Sequence, residues 1–281
     1  MAFALAVDAP VRAARPLLWR PRLRLVPARF LSLLALLALW EVASRSGLLP
    51  ARKLAAPSAI LATAWDLGWH GDLGWNLLVS LARATFGFAL GAALGIGFAL
   101  LAGLSRVGEA VLDAPLQALR TLPFLALVPL FILWFGIGET PKIALVALGA
   151  LFPIYLNLFA GIRGVDPKLL EAARLCGLSQ GQRVLQVVLP ASLPGLLVGI
   201  RYALGVAWLS LVVAEQINAQ SGIGYMINDA RDFLRTDVIV VGLLVYAVLG
   251  LAADALVRLV ERRTLRWRAG NAAGNAAGSA A

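Results

Sequence analysis

Six apolar runs, at residues 30–43, 75–103, 122–138, 141–161, 193–216 and 237–258, leave this sequence few ways to fold. A hydrocarbon core about 30 Å thick takes a helix of roughly 20 apolar residues, and within it every backbone N–H and C=O needs a partner from the protein. The runs therefore predict an all-α membrane protein of six transmembrane helices. Composition agrees: 60% of the 281 residues are hydrophobic and 14% charged, with a mean hydropathy of +0.84. The first run is the shortest and holds Glu41, so a signal peptide with a long basic leading region is its rival reading. Parity decides against that reading, because a retained first helix gives an even number of spans with both termini on one side.

The net charge of +10 raises nucleic acid as a partner, but the arginines sit at the chain ends and in alternate connections, and no basic patch carries interleaved aromatics. With both termini cytoplasmic, the arm, the 104–121 and 162–190 connections and the tail from Arg258 hold 17 basic residues, against six on the other side. This is the bias of the positive-inside rule. It places residues 50–70 and 220–235 outside.

The organisation expected is a basic cytoplasmic arm over 1–29 that meets anionic lipid, then a first transmembrane helix and external loop over 30–74. A transmembrane domain over 75–260 follows, with a basic, then disordered, tail over 261–281. Gly87, Gly91 and Gly95 recur every four residues and strip one face of the second span, as close helix packing requires. Gly136, Gly138, Thr140 and Pro141 predict a tight hairpin, with Thr140 as cap and Pro141 opening the next helix. The segment SGIGYMINDARDFLRTD is too polar to span and reads as a structured external or re-entrant element.

The connection at 162–190 is the most informative. Asp166 and Pro167 form an N-cap and an N1 proline, and Gly177 a C′ glycine, which makes DPKLLEAARLCG a helix of about three turns. Leu169, Leu170, Ala173 and Cys176 would form one face, with Lys168, Glu171 and Arg174 around the other side. Ser179 and Gln182 make a capping box for a second helix, expected to end before Pro190. The result is a helix–turn–helix plug between two spans, whose bland alternative is an ordinary amphipathic loop.

The spacing of Glu171, Ala172, Ala173, Gly177, Val187, Leu189 and Pro190 resembles the signature loop of membrane subunits of binding-protein-dependent ABC importers, with Val187 where isoleucine is commoner. The resemblance implies a type I ABC importer permease fold whose plug is a cytoplasmic coupling helix seated in a separate ATPase. It extends over most of 45–268 and is nearest the aliphatic-sulfonate permeases, through GLSRVGEAVLDAPLQALRTLPFLALVPLFILWFGI, KIALVALGALFPIYLN, SGIGY and TDVIVVGLLVYAVLGLAAD. Taurine, nitrate and bicarbonate permeases share parts of it. It further implies a homodimer in the bacterial inner membrane, an ATPase subunit dimer using ATP and Mg, and a periplasmic substrate-binding protein. No cofactor on this chain is implied.

Absences fit. The three lysines, Lys53, Lys142 and Lys168, follow no phosphate-binding glycine run, and there is no G-x-S-x-G elbow or metal-ligand cluster. The chain is not expected to hydrolyse ATP. Cys176 and His70, each single, exclude an internal disulfide and disfavour a metal cage. Arg83, Asn157, Arg201 and Glu215 lie in or near spans and are the candidate substrate-pathway residues, with snorkelling or helix-to-helix hydrogen bonding as their rival reading. An ion-coupled carrier is the rival class, for which the plug has no purpose.

Overall fold

The computed structural model describes residues 26–50 and 52–264, and these are helical with no strand among them. The basic arm as far as residue 25 and the tail from 265 lie outside the described residues. Among the described residues, four helices are long and apolar enough to cross a bilayer: α3 (Leu73–Leu104), α6 (Glu139–Arg163), the stretch Gln180–Ile217, and the last helix, Thr236–Thr264. Two shorter helices stand where the other two spans are expected. The first, α1 (Val26–Arg45), has 20 residues and reaches about 30 Å. The second, α5 (Phe124–Phe135), departs from the 17-residue run expected. It has 12 residues, about 18 Å, because Pro123 stands at its N-cap and Gly136, at φ 75°, ends it.

Between these lie α2 (Pro57–Trp69) after α1, α4 (Arg106–Arg120) between α3 and α5, and α7 (Pro167–Leu175) after α6. The stretch Gln180–Ile217 is built from α8 (Gln180–Arg183), a π turn (Val184–Val188) and α9 (Leu189–Asn218). After it come α10 (Ile223–Asp232) and α11 (Thr236–Thr264). The connection at 104–121 is thus a helix, strongly amphipathic. Leu112 and Leu116 of α4 pack on the core, and Tyr155 of α6 donates to Asp113 at 3.1 Å.

The core forms where α3, α6 and α9 meet. α6 lies between α3, parallel to it, and α9, antiparallel to both. A side-chain carbon at Gly87 would fall 2.6 Å from Val146 Cβ, and one at Gly95 2.8 Å from the Leu151 carbonyl oxygen. At Gly91 it would overlap the Ala147 carbonyl oxygen. The glycine repeat is therefore a packing seam: it lets the α6 backbone lie directly on α3. Ala84, Val146, Ala150, Ile154, Ala203 and Leu211 fill the space beside it. Because the obstacle at residue 91 is backbone that cannot swing aside, Gly91→Val should cost about 3 kcal/mol or more. Fluorescence-detected size exclusion of the solubilised protein checks this, and a monodisperse, wild-type-like profile would remove the seam from the account.

The two ends of the bundle differ. At one end α2 and α10 sit against the starts of α3 and α11, through Ile223, Met226 and Val238 with Leu67 and Leu73, and through Ile60 with Val241. Thr63 donates to Asp237 at 2.8 Å there, and Ser58 of α2 donates to Glu41 of α1 through its amide (3.0 Å) and hydroxyl (2.6 Å). At the other end lie α7 and α8, with the close of α3 and α6. Followed in order, α1, α5 and α9 run toward the α10 end, and α3, α6 and α11 run away from it. This alternation is what six spans require. Thr140 does not cap α6, which starts one residue earlier at Glu139 after Gly138.

Candidate functional site

The plug is built from local signals. Asp166 accepts from the Lys168 amide at 2.9 Å, with Pro167 at the first helical position. Gly177, at φ 78°, terminates α7: its amide bonds to Arg174 O at 2.9 Å, and the Leu178 amide to Ala173 O at 3.1 Å. This left-handed residue turns the chain, and Ser179 restarts it through a reciprocal capping box with Gln182. Ala173 is buried and Leu170 packs on the core cluster around Tyr155 and Leu158. Leu169 and Cys176, expected on that inner face, are exposed: Leu169 lies at its margin, and Cys176 caps the helix rather than belonging to it. The outward arc carries Lys168, Glu171, Ala172 and Leu175, the last 86% exposed, while Arg174, expected with them, falls on the stripe of Pro167 and Leu170 instead. Among the described residues, no ion pair engages Glu171.

The second helix of the plug does not stop before Pro190. It runs on through the π turn into α9, so that Gln180–Ile217 is one 38-residue helix. Proline has no N–H to give and its ring crowds the preceding turn, which would normally break the helix. The widened turn absorbs this, with the Leu189 amide bonding to Val184 O. Val187 and Leu189 are half-buried, with Val187 packed against the core, while Pro190 is exposed. One rigid element thus joins the plug to the opposite end of the bundle.

At that opposite end Arg83 and Glu215, both among the pathway candidates, meet. Arg83 is 3% exposed and Glu215 1%. Arg83 Nη1 lies 2.8 Å from Glu215 Oε1 and 2.7 Å from the Ser221 carbonyl oxygen, while Nη2 and Nε hold both oxygens of Glu139. Lys142, also buried, lies 3.0 Å from Glu139. Glu215 in turn accepts from the Ser80 hydroxyl (2.8 Å), the Gly224 amide (2.9 Å) and the Tyr246 hydroxyl (3.0 Å). The loop before α10 is bound by the same group: the Gly222 amide donates to Asn76 at 2.7 Å, and the Ile223 amide to Ser80 at 2.8 Å. Gly222, at φ 108°, has no room for a side chain, which would fall 2.5 Å from Glu215 Oε1.

Five helices and one loop are tied in this network, with each buried charge paired. Asn157 and Arg201 do not join it. Asn157 donates to Pro153 O of its own helix at 2.8 Å, beneath the close approach of Gly195 and Gly199. Arg201, 40% exposed, pairs with Glu261 at 2.5 Å and Asp254 at 3.7 Å on α11. Of the network, sequence reasoning missed Asn76, Ser80, Glu139, Lys142 and Tyr246. A signal was there: Asn76, Ser80 and Arg83 extend the glycine face of α3 by helical spacing, and polar groups aimed into a packing seam need partners in it.

A family model described as a binding-protein-dependent transport system inner membrane component matches residues 91–266. The chain belongs to that family. Among these inner membrane components, it is 49% identical to the putative aliphatic sulfonates transport permease protein of Bacillus subtilis, over 83% of this chain and 84% of the relative. It is 50% identical to the protein of the same description in Escherichia coli, over 83% and 88%. The Escherichia coli taurine transport system permease protein is 34% identical over 90% and 94%. A chain from the crystal structure of an amino acid ABC transporter with histidines superposes with a TM-score of 0.57 at 21% identity, covering 67% of this chain and 92% of that one. The permease fold expected of this family is thereby present. Its matched stretch includes the whole plug and Glu215, while Arg83, α1 and α2 lie before it.

Proposed function

We propose that this chain is the permease subunit of an ATP-driven importer of aliphatic sulfonates in the bacterial inner membrane. The observation that carries this reading is the near-50% identity, over more than four fifths of each chain, to two permeases described as transporting aliphatic sulfonates. In this reading two copies enclose the pathway and a substrate-binding protein delivers the sulfonate outside. A separate ATPase dimer, using ATP and Mg, accepts α7 in a groove. Glu171, Ala172 and the fully projecting Leu175 supply the docking surface, and Gly177 sets the angle between that surface and the membrane-spanning helix. Motion at α7 then travels along Gln180–Ile217, about 57 Å, to Glu215 and the loop before α10. Arg83 and Glu215 act as the clamp of that loop, since their hydrogen-bonding capacity is spent on each other and on the loop rather than left for a substrate. The test is growth on an alkanesulfonate as sole sulfur source, in a strain lacking its own sulfonate permease and supplied with this chain and its cognate partners. Restored growth on ethanesulfonate is expected, and growth restored on taurine alone would reassign the substrate.

The topology of this reading puts both termini and Cys176 in the cytoplasm. Cys176 is exposed, so it should react with a membrane-impermeant maleimide in permeabilised cells and be silent in intact ones. A Cys176→Ala/Ser58→Cys protein should react already in intact cells, with no gain on permeabilisation. Labelling of Cys176 in intact cells would invert the topology.

A further inference from the structure

Beneath the plug is a cavity of about 530 Å³ whose polar wall is made by Arg163, Arg174, Arg183 and Gln180. Its floor is the end of two membrane spans, Leu104 of α3 and Ile162 of α6. It lies on the inner side of α7, reached by the stripe Pro167, Leu170 and Arg174, and is therefore separate from the outward arc assigned to the ATPase. Among the described residues, no carboxylate lines it. Arg163 is already balanced by an ion pair with Glu109 and sits 5.8 Å over the Phe159 ring, which fixes it in place. Arg174 and Arg183 are paired with no carboxylate among the described residues, and Arg183 Nε is buried without a hydrogen-bond partner. Two guanidinium groups without a carboxylate partner line one cavity, Arg174 at its exposed rim and Arg183 with its buried Nε, which favours an anion, and guanidinium forks suit the oxygens of a phosphate.

We propose that this cavity binds the phosphate of an anionic phospholipid. Free phosphate shares the chemistry, but the position selects lipid: the arginines stand where the apolar spans end, at the depth of the headgroups. Leu104, which lines the cavity and is itself exposed, offers apolar surface to an acyl chain. The bound lipid neutralises the cavity and braces α7 against the ends of α3 and α6.

The test is native mass spectrometry of the purified full chain with phosphatidylglycerol and phosphatidylcholine of matched acyl chains. Because lipid retention is read on the isolated chain, it stands or falls independently of the substrate and of the direction in which the chain faces. The wild type should retain phosphatidylglycerol preferentially. Arg174→Gln/Arg183→Gln should weaken that retention about 30-fold, each arginine contributing roughly fivefold near an anionic headgroup. Arg262→Gln/Arg263→Gln, which removes two exposed charges elsewhere, should leave it unchanged, and Arg174→Lys/Arg183→Lys, which preserves the charge, should keep most of it. Equal loss from both glutamine pairs would reduce the effect to general attraction and overturn the site. Full displacement of the lipid by millimolar inorganic phosphate would assign the cavity to a soluble anion and overturn the lipid. Unchanged lipid retention, with loss of ATPase co-purification in Arg174→Gln/Arg183→Gln, would give the cavity to an acidic group of the ATPase instead.

Discussion

Arg83→Ala should destabilise the protein by about 3–5 kcal/mol, the cost of leaving a buried carboxylate without its partner. Glu215 stays in place at 1% exposure, and Glu139 loses both of its bonds to the guanidinium. The damage should be local before it is global. The loop 219–222 and the start of α10 are held through Ser221 O on Arg83 and through the Gly222 and Gly224 amides on Asn76 and Glu215. Hydrogen exchange at these amides should rise well before exchange in α6 does. Arg83→Gln/Glu215→Gln removes both charges together and should recover part of the loss, because the penalty comes from one uncompensated charge rather than from absence of the pair. Thermal unfolding in detergent of Arg83→Gln, Glu215→Gln and the double measures the coupling. Strict additivity would show that Arg83 and Glu215 do not act as a pair.

At the plug, Gly177→Val and Glu171→Ala should abolish uptake for different reasons. Gly177 has φ 78° and open space around the position of a side chain, so valine meets no clash and pays only for the left-handed backbone. That is about 1 kcal/mol for an ordinary residue and more for a β-branched one. Membrane folding should survive, with α7 redirected relative to α8. Glu171 is exposed, and its loss changes no packing. Glu171→Ala should therefore lose ATPase co-purification, whereas Gly177→Val should keep the complex and lose stimulation of hydrolysis by the binding protein. Co-purification and stimulated hydrolysis, measured on both, separate docking from force delivery. Normal uptake by Gly177→Val would remove the plug as the coupling element.

The spans and the plug were legible because their signals are local. An apolar run of bilayer length and an Asp-Pro start, Gly177 stop and Ser179/Gln182 box depend on neighbours a few residues away, and each forms as read except the run at 122–138, which Pro123 and Gly136 cut to 12 residues. The glycine repeat of α3 was legible as a packing face, although not which helix it packs on. What failed to show was set by distant contacts. Pro190 reads as a stop, yet a π turn and the packing of Val187 and Val188 carry the helix past it. Arg83 and Glu215 read as isolated intramembrane charges because their pairing joins residues 132 apart. The SGIGY segment looked like a structured external element, but the need for Gly222 and Gly224 emerges only when Glu215 is seen to fill the space beside them.

The most direct measurement of the central claim is alkanesulfonate accumulation in proteoliposomes holding this chain, with and without its cognate ATPase and binding protein. The expected result is ATP-dependent accumulation by the complete assembly, and neither hydrolysis nor accumulation by the chain alone. Concentration of the sulfonate by the chain alone under a proton gradient would contradict the account and make the protein an ion-coupled carrier.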